Sequence, residues 1–190
     1  MARGIADKRG AILRAAIRLF GAGQFHGTTI PTLAREAGVA EGTIYTYFES
    51  KEELAFKALH ESSAALEQEL VNAVPQQAEP FEQLAFAATL LLQVAEDDLE
   101  RARYVLCVEH ESYLGARATE ASALPGLVEF MVANAAARGE TKPLSPSVLV
   151  ALWLGVVRAA ITSRVYGALE QRLSDVAEVV SRAAVDAIRR

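Results

Sequence analysis

Apolar residues recur along this chain at three- and four-residue spacing almost from end to end. No stretch shows the strict alternation of a half-buried strand, and no motif repeats at a fixed period. The first periodic segment, about Asp7 to Ala22, puts Ile12, Leu13, Ala16, Leu19 and Phe20 on one helical face and leaves Arg9, Arg14 and Arg18 off it. Asp7 is its expected N-cap, and Gly21 and Gly23 mark its end. Thr29 caps a second helix, Ile30 to Ala37. Pro31 is tolerated there because first-turn amides have no helical partner. Gly38 closes that helix, and a third short one follows from about Glu41 to Phe48. Ser50 caps a fourth, from Lys51 to about Val74, with Glu53 three residues on as in a capping box. Its inward stripe is Ala55, Leu59, Leu66, Leu70 and Val74.

Pro75 and Pro80 bracket a loop, and helices are expected at about Phe81–Ala95 and Asp98–Tyr113. Gly115 and then Pro125-Gly126 interrupt the next stretch, so boundaries between 114 and 128 stay open before helix resumes to about Ala137. Gly139 to Pro143 is a loop. Ser145-Pro146 opens a long helix that Gly167 stops after Tyr166, and Ser174 or Asp175 caps a last helix reaching Arg190. The expected fold is all-α. A three-helix head with a helix-turn-helix (1–51) is joined to a larger helical bundle (52–190).

Composition agrees with a folded globular chain of one or two units: 190 residues, 52% hydrophobic and 23% charged. The longest apolar run, Val148 to Val157, is half the length of a membrane span and is followed by Arg158, so no span is expected. The charged start around Arg3, Lys8 and Arg9 has no signal-peptide core. Cys107 is the one cysteine, which excludes an internal disulfide and suits a reducing cytoplasm. The net charge of −5 is unevenly spread: residues 1–51 carry +3 and the remainder −8. A local basic excess of that kind serves a phosphate backbone while the body stays acidic. The three histidines, His26, His60 and His110, lack metal-ligand spacing, and neither a nucleophile elbow nor a phosphate loop is present. No catalytic residue, metal or cofactor is therefore expected.

The head carries the clearest chemistry. Leu33, Ala34 and Ala37 face the first helix, Gly38 supplies the left-handed turn, and Val39 fills the gap between helices. On the next helix Ile44 and Phe48, four apart, anchor it to the core. Gly42 and Thr43 let backbone approach DNA, Tyr45 and Tyr47 offer rings with hydroxyl tips, and Thr46 suits a base edge or a thymine methyl. Tyr47 is the tyrosine expected on DNA, with the ring of Tyr45 shared between DNA and core. Thr29 and Lys51, each at a helix start, are placed to hold phosphates. Arg3, Lys8 and Arg9 form a possible minor-groove arm, and Arg14 and Arg18 are read as solvated.

The segment Ile12 to Leu59 resembles the N-terminal domain of TetR-type regulators. Phe20, Gly27-Thr28-Thr29-Ile30, Leu33-Ala34, Ala37-Gly38-Val39, Gly42-Thr43-Ile44-Tyr45, Tyr47-Phe48 and Lys51-Glu52-Glu53-Leu54 match that pattern in order and spacing, over about a quarter of the chain. The resemblance implies DNA contacts from Thr29, Gly42, Thr43, Tyr45, Tyr47 and Lys51, with positions 41 and 46 setting sequence preference. This chain departs there with Glu41 and Thr46, where basic or bulky residues are common, and Glu49 is also acidic. Glu41 suits either a cytosine amino group or the positive end of its own helix.

In the body, Leu149, Leu152, Trp153, Val156, Val157, Ala160 and Ile161 form a broad stripe, extended by Val148, Val150 and Leu154 almost around the helix. The last helix aligns Val176, Val180, Ala183 and Ala187, with Val179 and Ile188 beside them. Helices apolar on so many sides need burial on more than one side. A homodimer through Leu149, Leu152, Val156, Ala160, Val176, Val180, Ala183 and Ala187 is expected, and the resemblance implies the same interface. Phe86, Leu90, Val94, Leu106, Phe130 and Trp153 are candidate walls of an apolar pocket, with Leu91 and Leu99 near them. His110, on the inward line Leu99, Ala102, Leu106, Tyr113, is either a ligand-orienting group or a core histidine paired with Glu109 or Glu111. The expected function is a ligand-responsive repressor that binds a palindromic double-stranded operator and is released by a small-molecule effector. The alternatives are a helical adaptor without DNA binding and a bundle enzyme.

Overall fold

The computed structural model describes the backbone of residues 2–122 and 124–190, and the side chains of 8–122 and 126–190. Eleven α-helices are named in chain order among these residues. The head comprises α1 (Ala2–Gly21), α2 (Ile30–Ala37) and α3 (Glu41–Tyr47). The connector α4 (Lys51–Ala73) leads to α5 (Pro80–Asp97) and α6 (Leu99–Ala102), which runs on as a π-helical turn, Arg103–Cys107. The short α7 (Glu111–Leu114) and α8 (Arg117–Ala121) follow, then α9 (Leu124–Ala137), α10 (Pro146–Val165) and α11 (Leu173–Ile188). Asp7 lies inside α1 instead of capping it, because helical backbone begins at Ala2. The side chain of Arg3 lies outside the described residues.

The local signals act as their chemistry requires. The Thr29 hydroxyl accepts from the Thr32 amide, and Gly38, with φ 67°, closes α2 by donating to the Ala34 and Arg35 carbonyls. The Ser50 hydroxyl accepts from Glu53 N at 3.0 Å. The Glu53 carboxylate reaches back to Glu49 N at 2.7 Å, one residue beyond the usual capping box.

One element departs from the expected pattern. The single helix anticipated over Asp98–Tyr113 is broken into α6, the π turn and α7, with Val108 extended between them at φ −84°, ψ 139°. The cause is three consecutive inward side chains, Tyr104, Val105 and Leu106, all buried. A regular one-faced helix cannot bury three in a row. The wider π turn brings all three inside, and the Tyr104 hydroxyl is then anchored on the Ala55 carbonyl at 2.9 Å.

Two hydrophobic cores result. The head core joins Ile12, Phe20, Leu33, Ile44 and Phe48 to Leu54 and Leu59 of α4, and it also takes in Tyr104 and Leu114. It therefore extends past residue 51, into α4, the π turn, α7 and α8. The body core is built from α5, α9, α10 and α11 around Trp153. On α10 the fully buried line is Leu149, Trp153, Val157 and Ile161, while Val148 and Leu152 stay 44% and 40% exposed. Contrary to the expectation from consecutive residues, α10 is long and apolar enough to cross a membrane, with a mean hydropathy of 1.7. An average over the helix absorbs its two arginines, whereas a run count stops at Arg158. In this fold α10 serves as one wall of the bundle.

Candidate nucleic-acid interface

The turn at Gly38 holds α3 across α2, and Ile44 and Phe48 sink into the head core, 1% and 2% exposed. Everything else on α3 is oriented by those two anchors. Glu41, Gly42, Tyr45 and Thr46 lie on the exposed side and Thr43 is half-buried. Tyr45 is 59% exposed, whereas Tyr47 is half-buried with its ring 6.4 Å from that of Phe48. Tyr45, in place of the expected Tyr47, therefore offers the larger free ring surface on α3. Residue 47 sits about 60° around the helix from Ile44 and residue 45 about 100°, so the core draws in Tyr47 first. No heavy atom lies within 4 Å of where a Cβ on Gly42 would stand, so its backbone is open to a partner. The Thr46 hydroxyl is spent inside the helix on the Gly42 carbonyl at 3.0 Å.

Thr29 is exposed and shares a 3.1 Å hydrogen bond with the Thr32 hydroxyl at the start of α2. Lys51 behaves differently from the expected phosphate donor. Its ammonium donates to the carbonyls of Phe25 at 2.9 Å and Thr28 at 3.1 Å, and it stands 4.4 Å over the Phe25 ring. The loop before α2 leaves those carbonyls without helical partners, and the nearest cation takes them. Arg9 is likewise not a free arm. It pairs with Glu61 of α4 and lies 5.6 Å from the centre of the Phe48 ring. Glu61 in return is held below the usual carboxylate range, chiefly by its hydrogen bonds from Arg9. Arg18 pairs with Glu36 at 2.8 Å. Lys8, Arg14 and Arg35 remain as exposed cations of the head.

The body residues anticipated as one pocket differ widely in exposure. Leu106 and Trp153 are buried, Leu90 and Val94 are half-buried, and Phe86 and Phe130 are 40% and 64% exposed. Phe130 alone of the seven borders a groove of about 280 Å³ between α4, α5 and α9, beside Val71, Leu127 and Met131. The helical faces bearing Phe86 and Phe130 turn outward because small residues, such as Ala87, Ala88 and Ala135, fill the tight contacts of α5 and α9. His110 stands apart, in the seam between head and body. It is a satisfied core histidine, but its partners are not the neighbouring glutamates. Nε2 lies 2.7 Å from the Tyr104 carbonyl and Nδ1 lies 2.6 Å from the Tyr113 hydroxyl. A carbonyl only accepts, so Nε2 carries the proton and Nδ1 accepts from Tyr113. Burial holds the His110 pKa below its usual 6.5 and pushes that of Tyr113 up to about 12.

Of the expected dimer residues, Leu149 is buried in the chain's own core. Leu152 and Ala183 are exposed, and Val156, Ala160, Val176, Val180 and Ala187 are half-buried. Val148 and Val179, 44% and 62% exposed, are further large apolar residues left open on α10 and α11. Phe25 was not singled out by sequence reasoning. Its ring stacks on that of Tyr113, centroids 4.0 Å apart and planes 12° apart, and so ties the head to the hinge. A phenylalanine standing inside a polar, glycine-containing loop was the signal for it.

Comparison with known proteins agrees with this geometry. Residues 12–58 match the family described as bacterial regulatory proteins, tetR family. The HTH-type transcriptional regulator HbdR of Aromatoleum sp. (strain CIB) is 35% identical over 83 residues, 44% of this chain and 36% of that protein. The chain thus matches little more than a third of that relative's length. Likeness to solved structures spans nearly the whole fold. A putative tetR family transcription regulator from Shewanella sp. PV-4 superposes with a TM-score of 0.81 at 22% identity, over 96% of this chain and 98% of that one. The transcriptional regulator FadR from Bacillus subtilis, solved in complex with stearoyl-CoA, gives 0.77 at 19% identity over 94% and 98%.

Proposed function

We propose that this chain, whose residues 12–58 match the tetR family of bacterial regulatory proteins, is a repressor that binds a palindromic operator as a homodimer and leaves it on binding a small-molecule effector. The observation that carries this reading is the exposed face of α3, where Gly42, Tyr45 and Thr46 stand free of the core that anchors Ile44 and Phe48. Such a face enters a major groove and reads base edges. Two heads, held by the apolar sides of α10 and α11, would meet two half-sites of a palindrome.

The effector is a molecule with an apolar tail and an oxygen-rich, acidic head. Three observations support that class. The body core is aliphatic. Trp153 Nε1 is buried within it without a hydrogen-bond partner, and a buried Nε of Arg103 in the π turn also lacks one. FadR, of the same fold, was solved with an acyl thioester. The connector α4, shared by both cores, is the lever. To move the heads the effector must bind the two states with affinities differing by about 1–3 kcal/mol.

Selection from random duplex DNA at two salt concentrations tests the reading. The expected result is a palindromic site whose affinity falls with salt and drops about tenfold or more for Tyr45→Ala, the equivalent of about 1–3 kcal/mol for one base-reading contact. Capture of no sequence at low salt would sink it and favour the adaptor alternative.

A further inference from the structure

Head and body meet at a cavity of about 350 Å³ that none of the preceding assignments uses. One wall is the end of α1 and its loop, with Phe25 and His26. The other is the hinge segment after the π turn, Cys107 to Tyr113. Tyr166 at the end of α10 forms the rim. The volume lies at the small end of ligand cavities. Aromatic rings make up much of its lining, and three of its polar side chains are uncommitted, whereas the Ser112 and Tyr113 hydroxyls are already hydrogen-bonded. The Glu109 carboxylate, the His26 ring nitrogens and the Tyr166 hydroxyl make no hydrogen bond or ion pair among the described residues, and Tyr166 is 71% exposed. The backbone of Glu109 is held in place, its carbonyl accepting from the Ser112 hydroxyl at 2.9 Å.

Charge decides what such a cavity accepts. Glu109 is the one acidic side chain lining it, and no lysine or arginine does. The nearest cation at Phe25, Lys51, has its ammonium committed to the loop carbonyls. A metal is disfavoured, because no three metal-ligating side chains converge anywhere among the described residues. An anion would find no partner and one repelling carboxylate. A cation would find the Glu109 carboxylate and aromatic faces suited to cation–π contact. We propose that this seam is a second small-molecule site, for a compact aromatic amine, distinct in place and in charge preference from the site of an acidic effector in the body.

Position gives the site a consequence. A molecule lodged here touches the loop that precedes α2 and the hinge that follows the π turn at once. It binds best when the Phe25–Tyr113 stack is closed, and so biases the head toward one orientation. Occupancy of the site rests on the seam's geometry alone, while an effect on DNA affinity rests also on the operator-binding reading.

The test is calorimetric titration of the full chain with phenethylamine, with phenylacetate as the anion of similar shape. Amine binding is expected with no measurable phenylacetate binding. Glu109→Gln should weaken the amine about tenfold or more, the loss of a charge-assisted contact, and Tyr166→Ala should weaken it too. Both substituted side chains are exposed, and melting curves matching the parent would show the fold intact. No heat with the amine, equal binding of amine and phenylacetate, or unchanged amine affinity in Glu109→Gln would each overturn the proposal. Repeating an operator titration with saturating amine separates the two readings, since amine binding without any sequence-selective DNA binding would remove the operator reading and leave the site standing.

Discussion

At the scale of single residues, Gly42 and His110 separate function from stability in opposite ways. Gly42 lies inside α3 with open space where a Cβ would go. Gly42 stands in the first turn of α3, where Gly→Ala at a compatible backbone conformation gains about 0.4–1 kcal/mol by restricting the unfolded chain, so Gly42→Ala is expected to raise the urea midpoint. The new methyl points outward on the DNA-reading side, so the same variant is expected to bind the operator more weakly. A variant both stabilised and fully competent for DNA would show that backbone approach at Gly42 is not used. His110 is neutral in the fold, donating to Tyr104 O and accepting from Tyr113. Burial is the main cause of its lowered pKa, with Arg158 lowering it further and the Tyr104 hydrogen bond and Glu111 opposing. The unfolded chain binds a proton near pH 6.5 and the folded chain only at lower pH. Stability is therefore full above about 6.5 and falls as pH drops through 6.5 toward the depressed value. His110→Gln, able to donate and accept at the same two partners, should lose less stability than the parent between pH 7.5 and 5.5. His26 and His60 are common to both and cancel. Identical pH dependence would falsify the assignment of that slope to His110.

Elements explain which parts of the fold were legible in advance. Helix starts and stops with side-chain or glycine chemistry at the boundary were readable: Thr29 and Gly38 around α2, Ser50 at α4, Gly167 after α10. So were one-sided stripes such as Ala55, Leu59, Leu66 and Leu70, all of them buried. Gly38 gives this a test. Its φ of 67° is left-handed, and a Cβ there would meet nothing within 4 Å. The cost of Gly38→Ala is then purely backbone strain, about 1–2 kcal/mol, read as a lower unfolding midpoint with an unchanged m-value. What was not legible depends on partners far along the chain. The π turn goes with burial of Tyr104, Val105 and Leu106 against other helices, and the Tyr104 hydroxyl bonds Ala55 O, 49 residues away. Lys51 is diverted by carbonyls 23 and 26 residues before it. Phe86 and Phe130 look like pocket walls by composition, and only the packing of small residues behind them turns them outward. Period and capping report a residue's own helix, and these three outcomes were decided by other parts of the chain.

For the whole molecule the decisive question is what covers the outer side of α10 and α11. Only 28% of the residues in the most apolar window of α10 are buried within the chain, while Val148 and Leu152 of α10 and Val179 of α11 stand exposed. A second copy covers them in the reading proposed above, and the same contact sets the distance between two heads. Dimerisation then does more than bury apolar surface. It makes the second head's encounter with DNA intramolecular, at a high effective concentration. Leu152→Glu combined with Val179→Glu places a charge on each helix of that side without touching the buried line of Leu149, Trp153, Val157 and Ile161. Sedimentation is expected to show the parent as a dimer and the double variant as a monomer with unchanged helical content. Operator affinity should fall toward the non-specific level, about a thousandfold or more, although every DNA-facing side chain is intact. A double variant that stays dimeric would place the interface elsewhere. One that becomes monomeric yet keeps full affinity would mean that a single α3 reads the operator, which its short exposed face, with no basic side chain among Glu41, Gly42, Tyr45 and Thr46, gives little reason to expect.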